Sequence, residues 1–165
     1  MTGPPAVSRS GGPAPAHGAG APGRDGMPSI AVRLDALDDD ACFLLLATVR
    51  FGRVVATSGA LPLVVPVNFA LDGRVIVFRT AADGPLAAAT RGVVVAFQAD
   101  AIDPIARTGW SVAVTGVAHS VTHAGLALRM AQLGIDPWAP GPRDTYVRIA
   151  PGLVTGRYLT APERP

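Results

Sequence analysis

Apolar positions in this chain fall in short β-branched runs separated by Gly, Pro and Asp: RVVAT at 53–57, LPLVVPVNFAL at 61–71, RVIVFRT at 74–80, VVVAFQA at 93–99 and WSVAVTGVAHSV at 110–121. Two more, TYVRIA at 145–150 and LVTGRYL at 153–159, are divided by Pro151-Gly152. Asp72-Gly73 joins two runs as a two-residue hairpin, because both central positions of such a turn favour positive φ. The run at 93–99 is almost continuously apolar and predicts a central strand buried on both faces. Gly116, inside a long run, predicts a bulge or a bend where a barrel corner closes.

Helical signals are few. Asp38, Asp39 and Asp40 precede ACFLLLATV, an acidic helix start with Asp38 as the cap. Asp83-Gly84-Pro85 followed by LAAAT predicts a short helix with Asp83 near the cap and Pro85 in the first turn, ended by Arg91-Gly92. Residues 122–133 place Leu126, Met130 and Leu133 on one helical face, and Gly134 stops them. About six to seven short strands with a few short helices predict a mainly β fold, an antiparallel barrel rather than a doubly wound sheet.

Composition sets the boundaries. Residues 1–29 hold almost no large apolar side chain and are dense in Gly, Pro and Ala, so they predict a disordered arm. One domain then covers 30–160, and 161–165 is a tail. No apolar run follows the first basic residue as in a secretory signal, and none reaches the roughly 18 to 20 residues needed to cross a bilayer. A soluble, cytoplasmic protein is expected. The net charge is only +2, and all 14 basic residues are Arg, with no Lys anywhere. Schiff-base catalysis by lysine is therefore excluded, and any phosphate must be held by Arg and backbone N–H groups. The Arg residues are scattered, without the stripe of a nucleic-acid footprint. One cysteine, Cys42, permits no internal disulfide, and as a small side chain in an apolar helix it reads as buried. His17, His119 and His123 are dispersed, so no metal site is expected. Glu163, the only Glu, lies in the tail, and no residue declares itself as catalytic.

The candidate chemistry sits at strand ends. Arg79 with Thr80, and Ser111, are polar groups flanking apolar runs, where a rigid sheet can present anion ligands without disturbing its core. Asn68 lies in an apolar strand and needs a partner for its amide, either a ligand edge or a neighbouring backbone group. Trp110 serves equally as core or as a cavity wall.

In order, GRVVAT, PVNFALDGRVIVFRT, DGPLAAA, VVVAFQAD, GWSVAVTGVA and YVRIAPGLVTGRYL resemble the pyridoxamine 5'-phosphate oxidase-like proteins, FMN-binding split β-barrels, and in particular small actinobacterial-type members related to nitroimidazole-resistance proteins. The resemblance implies a homodimer with two FMN sites between subunits. It implies that the flavin ring lies against Pro66, Val67, Asn68 and Phe69, that Arg79, Thr80 and the helix start at Leu86 hold the phosphate, and that Phe78 belongs to the same cofactor site. Trp110 and Ser111 line the same site, and Trp138 and Arg157 come from the opposite subunit. Two departures stand out: Pro85, where members commonly carry Lys, and Gln98, where relatives often carry Glu. Proline removes both an ammonium and an N–H donor. The activity implied is FMN-dependent hydride or electron transfer to a small molecule. The alternatives are a non-catalytic flavin- or ligand-binding dimer, or a relative using deazaflavin or haem. No nucleic acid or membrane partner is implied.

Overall fold

The computed structural model describes residues 33–161; the arm at 1–29 and the tail beyond 161 lie outside the described residues. Strands β1 (Arg33–Leu37), β2 (Phe51–Ser58), β3 (Leu61–Asp72), β4 (Val75–Thr80), β5 (Val93–Asp103), β6 (Thr108–Ser120) and β7 (Thr145–Thr160) alternate with helices α1 (Asp39–Leu46), α2 (Pro85–Ala89) and α3 (Ala124–Ala131). All pairings are antiparallel, in the order β1-β7-β4-β3-β2-β5-β6, and β7 pairs with β6 as well. That last pairing closes the sheet into a barrel, the fold class expected from the runs.

Alternation along each strand sends one set of side chains inward. Phe69, Phe78 and Phe97 form the centre of the core, with Phe69 and Phe97 ring centroids 4.6 Å apart. α1 plugs one end through Cys42, Phe43 and Leu46, and its Asp38 cap accepts from the Ala41 N–H at 2.8 Å. A second, smaller cluster lies outside the barrel wall, where Met130 of α3 and Ile135 cover Val77. The two-residue β3–β4 loop is Gly73-Arg74 rather than Asp72-Gly73: Asp72 pairs with Val75, and Gly73 alone takes positive φ, at +61°, as a turn with Gly at its first central position requires.

Three further expectations are corrected. β5 is buried on one face only: Val95, Phe97 and Ala99 point inward, whereas Val94 is 65% exposed. A barrel has a single interior, and among the described residues no layer covers the outer face of β5. The last two runs form one strand of 16 residues, because a bulge absorbs Pro151-Gly152 where β7 shifts register against Thr115 and Gly116. A Cβ on Gly116 would overlap the Ala150 carbonyl oxygen, so the bulge needs glycine there. The third helix is shorter than 122–133 and is capped at His123. In α2 the cap is Gly84, the neighbour of Asp83, and Pro85 opens the first turn as expected. β1 was not foreseen; it lies antiparallel to residues 156–160 of β7. Among the described residues no helix is long and apolar enough to cross a membrane.

Candidate functional site

β3 outruns its partner on one side. All of Leu61–Asn68 pairs with β2, but β4 pairs only with Phe69–Asp72. The second edge of the strand from Val65 to Asn68 therefore carries no ladder, and it runs along a cavity of about 510 Å³. Thr80 at the end of β4 and Gly84, Pro85 and Leu86 at the start of α2 form the opposite wall. Phe51 and the loop bearing Pro137, Trp138 and Arg143 complete it.

The loop is fastened by side chains of the sheet. Oδ1 of Asn68 accepts from the Trp138 N–H at 2.9 Å, and Nδ2 of Asn68 donates to the Arg50 carbonyl at 3.5 Å. The Asn68 amide thus finds its partners in the backbone. The Trp138 ring stacks on Phe51 with centroids 5.4 Å apart and an 11° interplanar angle, while Trp138 remains 70% exposed. A stacked, exposed indole at a cavity mouth is a surface for a second flat ring. Arg79 donates from Nε to the Arg143 carbonyl at 2.8 Å and from Nη1 to the Ile135 carbonyl at 3.2 Å, which ties down both ends of the loop. Its Nη2 lies 3.6 Å from Asp144, and its guanidinium sits over the Tyr146 ring at 5.4 Å.

Arg143 is engaged far less. Its Nη2 makes a long contact to the Pro140 carbonyl at 3.4 Å, and its buried Nε has no acceptor. At the α2 start no side chain caps the helix. A second cavity of about 370 Å³ adjoins the first, sharing Asn68 and Trp138 and bringing in Arg50 and Asp136. The groups of the first cavity match an elongated ligand with a flat, polar-edged ring and an anionic tail. Cys42 stands apart, at 0% exposure on α1, where burial first and then Asp39 and Asp38 push its thiol pKa up. It is an inert thiol.

Seven sequence-predicted site residues meet at the cavity: Pro66, Val67, Asn68, Arg79, Thr80, Leu86 and Trp138. Trp138, which the resemblance assigns to the opposite subunit, here lines the cavity of its own chain. Phe69 and Phe78 point into the core, as does Trp110 at 7% exposure. Ser111 and Arg157 lie opposite each other on β6 and β7, in register with Asp100 of β5, on the outer face and apart from the cavity. Phe51, Gly84 and Arg143 were not foreseen. The available signal for Arg143 was an Arg closing the same proline-rich loop that bears Trp138.

The family model described as pyridoxamine 5'-phosphate oxidase matches residues 38–158. An uncharacterized protein of Mycobacterium tuberculosis is 44% identical over 147 residues, covering 86% of this chain and 95% of its own. A candidate pyridoxamine 5'-phosphate oxidase from Corynebacterium glutamicum superposes with a TM-score of 0.70 at 31% identity, covering 84% of this chain and 100% of that one. A protein from Mycobacterium smegmatis, described as FAD binding, superposes with a TM-score of 0.61, also at 31% identity, over 76% of this chain and 98% of its own. With the fold, the order of its motifs and these relatives in agreement, the chain belongs to the pyridoxamine 5'-phosphate oxidase-like family of split barrels.

Proposed function

We propose that this chain is a flavin-dependent oxidoreductase that works as a homodimer, with FMN held at the subunit interface. The observation that carries the reading is the unladdered edge of β3 from Val65 to Asn68, set against an aromatic stack and two cations across one cavity. The polar rim of a flavin ring needs fixed donors and acceptors in one plane, and a free strand edge supplies them. Trp138 offers a ring to stack on, and Arg79, Arg143 and the uncapped α2 start face the phosphate-bearing tail. The flavin, when bound, supplies hydride transfer from a reduced donor to a small acceptor. The protein orients it and excludes water, and the adjoining cavity at Arg50 and Asp136 admits the second substrate.

The outer face supports the dimer. Val64, Val55, Ala96, Thr115 and Leu153 form one cross-strand row over β3, β2, β5, β6 and β7, and Val94 with Val117 forms the next. Most of these apolar side chains are exposed in the single chain, an arrangement that suits an interface. In such a dimer Arg157 of one copy serves the cavity of the other, the role the resemblance gives it.

Pro85 favours a second reading, a non-catalytic flavin-binding dimer, because it removes an N–H from the anion-facing helix start. A visible spectrum of the purified protein, followed by titration with FMN and FAD, tests binding, and chromatography of flavin released by heat identifies the form carried. Anaerobic NADH or NADPH then tests turnover. Bleaching of the bound flavin supports the oxidoreductase; tight flavin that neither donor reduces supports the binding protein. Absence of binding by FMN, FAD, deazaflavin and haem at micromolar levels ends the cofactor reading.

A further inference from the structure

We infer that the two arginines of the cavity wall have separate roles, in which Arg143 binds the anionic group of the ligand and Arg79 is a positioning residue that fastens the loop carrying Arg143 and Trp138. The inference deepens the flavin reading and rests on it for the choice of FMN as the phosphate-bearing probe.

A guanidinium has five N–H donors in a rigid fork. In Arg79 the fork is already engaged, by the carbonyls of Arg143 at 2.8 Å and Ile135 at 3.2 Å, with Asp144 3.6 Å from the remaining nitrogen. A phosphate reaching Arg79 must compete with Asp144 for Nη2, the end of the fork that the backbone acceptors leave open. Arg143 presents the reverse situation. Among the described residues it has no carboxylate partner, its single hydrogen bond is the long one to Pro140, and its Nε is buried without an acceptor. Beyond that one long contact its Nη groups are uncommitted among the described residues, and an anion in the cavity that Arg143 lines supplies the charged acceptor they lack. Asp144, the acidic neighbour that would repel the anion, is paired to Arg79.

The two residues are also joined mechanically, since Arg79 holds Arg143 by its main-chain oxygen and not by its side chain. Truncating Arg143 leaves the strap intact. Truncating Arg79 releases Ile135, Trp138 and Arg143 together.

The test compares FMN with riboflavin, which lacks the phosphate, by quenching of flavin fluorescence in the wild type and in Arg143→Ala, Arg143→Lys, Arg79→Ala and Arg79→Gln, with circular dichroism to verify folding. Arg143→Ala weakens FMN on the order of tenfold to a hundredfold and leaves riboflavin unchanged, and Arg143→Lys restores part of the loss. Arg79→Ala and Arg79→Gln weaken both flavins by a common factor and speed chymotryptic cleavage after Trp138 in the flavin-free protein. The inference is overturned if Arg143→Ala keeps the wild-type ratio of FMN to riboflavin affinity. It is equally overturned if the Arg79 variants lose FMN alone with cleavage unchanged. Should the wild type bind neither flavin, the flavin reading fails by itself, and inorganic pyrophosphate followed by tryptophan emission decides the division. A response abolished in Arg143→Ala sustains it, and no response from the wild type refutes it.

Discussion

Oδ1 of Asn68 accepts a hydrogen bond from the Trp138 N–H at 2.9 Å, so a strand residue holds the tip of a loop 70 residues further along. The contact is the middle fastening of three, between the two that Arg79 makes at Ile135 and Arg143. Replacing Asn68 by Leu removes the acceptor and loosens the loop by about 1 kcal/mol. Asn68→Asp keeps an oxygen in place. Chymotryptic nicking after Trp138 should therefore accelerate most in Asn68→Leu and less in Asn68→Asp, which keeps the acceptor for Trp138 but sets a carboxylate oxygen against the Arg50 carbonyl, with thermal unfolding little altered in either.

Gly156 gives a packing prediction. A Cβ added there would overlap Sγ of Cys42 and approach Cβ of Leu37 to 3.1 Å. Gly156→Ala should cost about 1–3 kcal/mol in urea denaturation, the usual range for overpacking a close-fitted core. Adding Cys42→Ala opens the space from the other side. The double variant should recover stability relative to Gly156→Ala, with a coupling of about 1 kcal/mol; strict additivity would place the strain elsewhere.

Cys42 also sets a pH dependence. Burial, followed by the nearby carboxylates Asp39 and Asp38, raises its folded-state pKa. The native thiol then keeps its proton where the unfolded thiol loses it, so the unfolded state binds fewer protons and stability falls as pH rises. The contribution is fully present below the ordinary thiol range near pH 8.5 and declines above it. Melting temperatures between pH 7.5 and 9.5 should drop more steeply in the wild type than in Cys42→Ala.

The outer apolar face predicts the assembly. Val94 is 65% exposed in the single chain, so Val94→Glu places a charge in water if the protein is a monomer and in an interface if it is a dimer. Light scattering should show the wild type at twice the mass of the chain and the variant shifted toward one. Flavin affinity should fall with it, as the proposed placing of Arg157 at the partner's cavity requires.

Much of the fold was legible where local signals acted alone. Asp72-Gly73 and the alternating runs around it determine β3 and β4 from neighbouring residues, and Asp38 caps α1 within one turn. Expectations failed where distant partners decide. Nothing local makes residues 33–37 a strand; pairing with the end of β7 does. Pro151-Gly152 reads as a break until the β6 register shift absorbs it. The site divides along the same line: Pro66, Val67, Asn68, Arg79 and Thr80 were visible as strand-end polarity and resemblance, whereas the engagement of Arg79 depends on carbonyls 56 and 64 residues later.

β7 pairs with β1, β4 and β6, so this one strand supplies both seams that close the barrel. Until residues 145–160 have been synthesised, β4 and β6 are open edges, and β1 has no neighbour at all. Closure must await the last strand in chain order, and such long-range pairing is slow to form. The nascent chain before that moment carries two unpaired edges and an unsealed apolar interior, which makes it the species most prone to aggregate and the one a chaperone would meet.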